Sequence, residues 1–389
     1  MIIDRTLGEK LKHLAKKFPV VSITGPRQSG KTTLAKLCFP DYDYISLEMP
    51  DNRTFAQEDP RLFLNNYKKG VILDEIQYVP ELFSYIQGIV DDNPATGQFI
   101  ITGSQNFLLM EKIGQSLAGR VALAMLLPLS MHEIKTKDLM PETYQEMIFK
   151  GFYPRIFDKK IDPADFYPSY IQTYLERDVR NISNIQNLSG FKTFLEIAAG
   201  RTGQIINFTS ISNETGVDQK TVKNWFSILE ASYIVFFVRP WSKNYNKRLV
   251  KSPKMYFYDT GLVCSLLGIH QAEDITRHFL RGALFENLVF AELIKKFHHN
   301  FRRPELFYWR DNSGNEIDCI IKNSDTEKII EIKSGATIST AFFKGLEFYK
   351  KLSGLSSDNF FLIYGGSEKQ QRSAATIIGW NQIEELKVI

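Results

Sequence analysis

Cysteine is scarce in this chain. Its 389 residues hold three, Cys38, Cys264 and Cys319, far apart and with no C-x-x-C pair, which argues against a disulfide framework and against a zinc site. Long apolar runs are also missing. The longest, Val121 to Leu129, is too short to span a bilayer and contains Pro128, so no membrane partner is expected. The opening residues, MIIDRTLGEKLKHLAKKFPV, have neither an apolar h-region nor a small-residue cleavage site and do not read as a secretory signal. A reduced, cytoplasmic setting is expected. Charge of one sign is lacking as well. A net +4 permits nucleic-acid contact without arguing for it, because a local basic face counts for more than the total. Repeats and low-complexity tracts are not evident.

What is present has the rhythm of an α/β protein. An amphipathic helix over 6–18 precedes strand-like runs at 19–24, 42–48, 70–75 and 97–104, with a plausible fifth from Val121 to Ser130. These runs are apolar on both faces, as buried parallel strands are, and helical segments separate them. From about 131 to 260 the pattern turns mostly helical, with one β-rich patch at 232–241. A last α/β block starts near Gly282, with a helix over 284–297 and strands at 305–310, 315–322 and 328–334. Boundaries near 132 and 265 divide the chain into units 1–132, 133–265 and 266–389.

Residues 25–32 read Gly-Pro-Arg-Gln-Ser-Gly-Lys-Thr, a full match to G-x-x-x-x-G-K-[ST] between a buried strand and a helix. Gly25 and Gly30 allow the tight backbone path. Loop N–H groups and the helix N-terminus then point at phosphate oxygens. The expected ATP-binding set is Gly25, Pro26, Arg27, Gln28, Ser29, Gly30, Lys31, Thr32 and Thr33, with Lys31 on the β/γ-phosphates. In VILDE, four apolar residues carry the chain to the sheet edge, where Asp74 joins Thr32 to hold Mg²⁺ and Glu75 orients or activates water. The alternative for Glu75 is a solvated strand end. The acid pair favours hydrolysis over transfer to an acceptor, the course a P-loop kinase would take. The strand FIITGS places Thr102 and Ser104 where either can sense the γ-phosphate or merely close a turn. Arg120, in SLAGR, is either an arginine finger reaching a neighbouring subunit's ATP or an ordinary salt-bridge arginine.

Two further constellations stand downstream. FTSISNETGVDQKTVKNWFSILEASYIVFFVRPW has the look of a winged helix-turn-helix, with a short helix at 209–214 and a second helix N-capped by Asp218. Lys220 and Lys223 on that second helix, with Lys247 and Arg248 on the hairpin tip, make a face suited to DNA phosphates or to a protein partner. Trp225 lies among Val222, Phe226 and Leu229 and reads as core. Near the C-terminus, period-two alternation sets Asp318 of NEIDCII and Glu331 and Lys333 of KIIEIKS on one face, with Glu286 on the preceding helix as a fourth member. This resembles the restriction-endonuclease-like core, D…E-x-K with a helical Glu, in which the acids bind Mg²⁺ and the lysine orients water.

Taken together, SITGPRQSGKTTL, VILDEIQYVPELFSYI, FIITGSQNFLL, SLAGRVALAMLLPLS, GFYPRIF, YLERDVRNI, PKMYFYDTGL, GALFENLVFAEL and NEIDCIIK…KIIEIKSG resemble a prokaryotic AAA-type ATPase family. Members carry a C-terminal domain of unknown function with a nuclease-like end. The resemblance implies an AAA-type parallel-sheet ATPase domain, a helical middle with a winged helix, and a restriction-endonuclease-like α/β domain. It also implies a homo-oligomer, because Arg120 sits where related ATPases use an arginine between subunits. The expected activity is ATP hydrolysis coupled to DNA handling. The rival is a nucleotide-dependent regulator whose nuclease-like part only docks a partner.

Overall fold

The sheet that carries the P-loop is built from strands with little choice about burial. β1 (Val20–Thr24), β3 (Val71–Asp74) and β4 (Phe99–Gly103) are buried along their whole length. Strands apolar on both faces must be covered on both sides. β2 (Asp43–Ser46) and β5 (Val121–Met125) complete the order β2-β3-β4-β1-β5, with every neighbouring pair parallel. On one face Val21, Ile23, Ile72 and Ile100 pack on α1 (Leu7–Ala15) and α2 (Lys31–Cys38). On the other, Leu73 and Ile101 pack on α3 (Leu82–Asp92) through Leu82, Phe83 and Ile86. The amphipathic reading of α1 holds: Leu7, Leu11 and Leu14 are its buried stripe, each contributing about 1.5–3 kcal/mol of burial. In a parallel sheet all C-terminal strand ends lie along one edge. The loop after β1, Asp74–Glu75 after β3 and Ser104 after β4 therefore meet there.

The computed structural model describes residues 2–104, 114, 116–175, 187–242, 252–322 and 326–387. No helix among the described residues is long and apolar enough to cross a membrane. After short helices between 131 and 170 come α4 (Leu188–Gly200), α5 (Phe208–Thr215) and α6 (Gln219–Ala231). α5 ends at Gly216, left-handed at φ +70°. α6 starts where the Asp218 side chain accepts the Thr221 N–H at 2.9 Å. Trp225 is buried against Phe191 and Phe194, as core packing requires.

The second sheet crosses the boundary expected near 265. β6 (Val235–Pro240) and β7 (Lys254–Phe257) pair antiparallel, and β6 also runs parallel to β8 (Leu306–Arg310). With β9 (Glu316–Lys322), β10 (Glu327–Lys333), β11 (Phe360–Tyr364), β12 (Gln370–Gln371) and β13 (Thr376–Gly379), the order is β12-β13-β11-β10-β9-β8-β6-β7. One sheet therefore joins the middle segment to the C-terminal block. The apolar patch 232–241 satisfies its backbone with strands from both sides of the expected boundary. α7 (Arg281–His299) covers one face over Ile330 and Ile332, and α8 (Lys344–Ser353) the other over Ile320 and Ile329.

Candidate functional site

The loop between β1 and α2 is held from several directions. Gly25 sits at φ +148°, and a Cβ there would lie 2.1 Å from the Leu126 carbonyl oxygen, so only glycine fits. Gly30 is left-handed at φ +94° and starts α2. Lys31 is buried and donates to the carbonyls of Gly25 (3.1 Å) and Pro26 (2.9 Å). Ser29 Oγ is buried without a protein hydrogen-bond partner, a hydroxyl that can donate to a phosphate group. Behind the loop, Arg5 donates to Ser29 O (2.7 Å) and Leu127 O (2.6 Å). Its Nε lies 3.1 Å from Glu133 Oε2, an ion pair whose angle misses hydrogen-bond geometry.

Opposite Lys31, Asp74 collects hydroxyls. Thr32 Oγ1 lies 3.0 and 2.9 Å from its two oxygens, and Tyr44 donates at 2.8 Å. Thr102 donates to Asp74 and accepts the Glu75 N–H at 3.3 Å. Burial, then the Asp74 carboxylate, pushes the Tyr44 phenol up, so it stays a donor. Glu75 is a non-glycine residue in the left-handed region (φ +55°), which costs energy and turns its side chain toward Ser104. Ser104 Oγ donates to Glu75 Oε2 at 3.1 Å, and Gln77 donates to the same oxygen. Thr102 and Ser104 thus hold the two acids. A cavity of about 440 Å³ opens over the loop, lined also by Ile3, Leu129, Glu75, Arg155 and Asp158.

The C-terminal acids also converge, for a reason visible in the strand register. β9 and β10 pair only as far as Ile330↔Cys319, while β9 stays paired with β8 on to Glu316. In the gap Asp318 Oδ2 accepts the unpaired Ile332 N–H at 2.8 Å. Lys333 Nζ reaches Asp318 Oδ2 (3.4 Å) and Glu331 Oε1 (2.6 Å). Glu286 accepts from the Tyr256 hydroxyl (2.5 Å) and pairs with Lys254 (3.1 Å), whose ammonium also meets Glu316 at 2.5 Å. Burial first, together with the Asp318 charge, pushes the Glu286 and Glu331 carboxyls up against the pull of the lysines. Both lysines keep their charge, because the crowded acids outweigh the burial that would lower them. Among the described residues, no three His, Cys, Asp or Glu side chains stand close enough to hold a metal ion in this arrangement.

Residues 17–135 match an AAA domain. Residues 141–273 and 281–383 match two domains of unknown function, DUF8612 and DUF4143. The uncharacterized proteins Rv2008c of Mycobacterium tuberculosis and Mb2031c of Mycobacterium bovis are each 30% identical over 345 residues, spanning 87% of this chain and 76% of theirs. This chain belongs to an AAA-type P-loop ATPase family. Among solved structures, the Walker-type ATPase PABY2304 of Pyrococcus abyssi is similar at 16% identity over 68% of this chain and 96% of that one, with a TM-score of 0.47. The ORC2 protein of Aeropyrum pernix in its ADP form covers 61% and 87% at 16% identity, with a TM-score of 0.33. Likenesses this distant carry no argument about the sites.

The remaining candidates of this family member lie apart. Arg120 precedes β5, and its carbonyl accepts the N–H of Val20 at the start of β1. It therefore sits on the sheet edge opposite its own P-loop, on the order of 15 Å away along the strand. Its side chain pairs with Asp91 at 2.5 and 2.9 Å. Lys220 and Lys223 are exposed on α6, while Lys247 and Arg248 lie outside the described residues. Arg5, Tyr44, Glu133, Arg155 and Lys254 went unmarked by motif reasoning. Tyr44 had a usable signal: β2 runs parallel to β3 with Ser46 opposite Asp74, so a side chain two residues before Ser46 points the same way.

Proposed function

We propose that this chain hydrolyses ATP with Mg²⁺ at the edge where Lys31, Thr32, Asp74 and Glu75 meet, and couples that turnover to DNA. The observation that carries the hydrolytic reading is the second acid: Glu75 stands next to the Thr32–Asp74 pair and is held by Ser104. Thr32 and Asp74, hard oxygen donors already in contact, fit Mg²⁺, which when bound offsets charge on the phosphate oxygens. Lys31 exchanges the carbonyls of Gly25 and Pro26 for the β/γ-phosphates, and Ser29 Oγ gains a partner. Glu75 orients a water on the γ-phosphorus and takes its proton as the bond to ADP breaks. Arg155 and Asp158 line the same cavity, so the middle segment can respond to its occupant. Arg120, remote from its own loop, serves a neighbouring copy in a homo-oligomer. The test is phosphate release. Glu75→Gln should bind ATP yet turn over about 10²–10⁴-fold more slowly. Wild-type turnover in the folded variant removes Glu75 from the mechanism.

For DNA, α5 and α6 followed by the β6–β7 pair support a winged-helix reading, with Lys220 and Lys223 facing phosphates. Glu286, Asp318 and Glu331 with Lys333 form a metal-dependent, nuclease-like site. The buried Glu331 Oε2, which has no hydrogen-bond donor, fits a cation there. A second reading, a docking module that does not cut, is favoured by the closure of this cluster, in which the Lys254 and Glu331 side chains are only 6% and 9% exposed. Strand integrity followed during ATP turnover with Mg²⁺ or Mn²⁺ separates the two. Cleavage lost in Lys333→Ala supports a nuclease, and intact DNA under every condition supports docking.

A further inference from the structure

We infer that Gln77 is a positioning residue for ATP hydrolysis: its side-chain amide fixes the Glu75 carboxylate so that one oxygen alone is left to take the proton of the attacking water. The inference rests on the reading of Glu75 as the base of that reaction.

The chain brings Gln77 to Glu75 by a local route. β3 ends at Asp74, Glu75 is left-handed at φ +55°, and Ile76–Tyr78 form a single 3₁₀ turn. Ile76 anchors the turn in the core of the ATPase sheet, where it is fully buried. The Tyr78 N–H donates to Glu75 O at 3.1 Å and the Val79 N–H to Ile76 O at 3.0 Å, so the backbone around Gln77 has little freedom. From this turn Gln77 Nε2 donates to Glu75 Oε2. Ser104, just past the end of β4, brings its hydroxyl (3.1 Å) and its N–H (3.4 Å) to the same oxygen.

Three donors thus meet on Oε2, while Oε1 accepts from none of the described residues. Donors from the turn after β3 and from the end of β4 stop the carboxylate from rotating about its last bond, which is otherwise a soft torsion. Glu75 lines the cavity over the P-loop, and Oε1 is the oxygen it keeps for a water there. In the reaction the water O–H bond breaks toward Oε1 as the water oxygen bonds to the γ-phosphorus. The bond from that phosphorus to the bridging oxygen breaks, and its electron pair leaves with ADP. A carboxylate free to turn would spend much of its time out of line with that water.

The far end of the amide separates this role from packing. Gln77 Oε1 is buried and has no hydrogen-bond donor. A glutamine kept for stability would have both ends satisfied, because a buried acceptor without a donor costs free energy. Turning the amide over would set its oxygen against a carboxylate oxygen, so the nitrogen is the end that belongs at Glu75. The contact with Glu75 is the only hydrogen bond of this side chain among the described residues.

The test uses the full-length chain with Mg·ATP and follows single-turnover phosphate release, beside an ATP titration and a thermal melt. Gln77→Met keeps the side-chain length and removes the donor. It should bind ATP and melt as the wild type does, yet release phosphate about tenfold or more slowly, within the roughly 10²–10⁴-fold that loss of the base itself costs. Added to Glu75→Gln, it should slow the reaction no further, because no base remains to be positioned. Gln77→Glu, which sets a like charge against Glu75, should be slow as well and decides the matter if Gln77→Met fails to fold. Wild-type release in either folded variant, with Glu75→Gln slow, overturns the positioning role and leaves Glu75 as the base. Equal slowing by Gln77→Met with and without Glu75 also overturns it, since Gln77 then acts on something else. Wild-type release in Glu75→Gln overturns the base, and the positioning role with it.

Discussion

Replacing Glu133 by Gln should cost about 3–5 kcal/mol of folding stability, the usual consequence of stranding a buried partner. Glu133 is 1% exposed and faces Arg5, itself 6% exposed. Its oxygens accept the N–H groups of Thr6 (2.7 Å) and Ser130 (2.9 Å). The amide keeps the shape but leaves the guanidinium buried without a counter-charge. A second route gives a similar size. Burial alone would raise this carboxyl, yet Arg5, His299 and the two N–H groups hold it at about 2, against 4.5 when unperturbed. At about 1.4 kcal/mol per unit this is worth about 3.5 kcal/mol. Because the folded value is the lower one, that stability is present above about pH 4.5 and drains away as pH falls toward 2. The difference between wild type and variant should therefore shrink over the same window. Urea denaturation at a series of pH values measures it. The ATP affinity of the variant should fall too, since Arg5 holds the Ser29 carbonyl. Adding Arg5→Met to Glu133→Gln should recover part of the lost stability, because no buried charge then lacks its partner. A difference below about 1 kcal/mol at neutral pH, or one that ignores pH, would refute the reasoning.

Lys31→Ala should abolish tight ATP binding, because the loop loses the ammonium it aims at the β/γ-phosphates; a nucleotide titration on the folded variant checks this, and unchanged affinity rejects the P-loop assignment. Arg120→Ala subunits mixed with Lys31→Ala subunits should regain some ATPase activity if the arginine acts on a neighbour. No rescue in demonstrably mixed oligomers would leave Arg120 as the partner of Asp91. Lys220→Ala with Lys223→Ala should weaken DNA binding about equally across sequences and lower the salt slope by about 2, measured by fluorescence anisotropy over a salt series. An unchanged slope would turn α6 toward a protein partner.

The features legible in the sequence were local ones. The P-loop is eight consecutive residues whose geometry follows from two glycines and a helix start, and Asp74 and Glu75 end an apolar run that can only be a buried strand. Period-two alternation put Asp318, Glu331 and Lys333 together because β9 and β10 pair antiparallel. What escaped depends on contacts between residues far apart in the chain. Arg5 meets Glu133 and the P-loop only after the sheet has formed. Lys254 reaches the acid site because Arg239 pairs with Phe307, a register that no periodicity encodes. The boundary expected near 265 is not visible in the hydrogen bonding, because one sheet takes strands from both sides of it. Arg120 was open between two roles, and its position opposite the loop narrows any catalytic role to a neighbouring subunit.

α7 is the physical link between the two sites. It carries Glu286 near its start and Glu292, Lys295 and His299 further along, about 9 to 20 Å away at 1.5 Å per residue. There Glu292 accepts the Met131 N–H (2.8 Å), Lys295 donates to Leu129 O (2.8 Å), and His299 lies 3.9 Å from Glu133. Glu133 holds Arg5, and Arg5 holds the P-loop. Contact alone transmits nothing; coupling needs elements with two arrangements. Lys31 supplies one: it is folded onto its own loop here and, on the proposed reading, turns to phosphate when ATP binds. The helix between the two sites is built as a strut, because its buried Glu292 and Lys295 satisfy one another and breaking them would strand a charge in the core. A strut of this kind can pass a change at Arg5 and Glu133 only by shifting as a whole. The shift would arrive at the end where Glu286 meets Lys254.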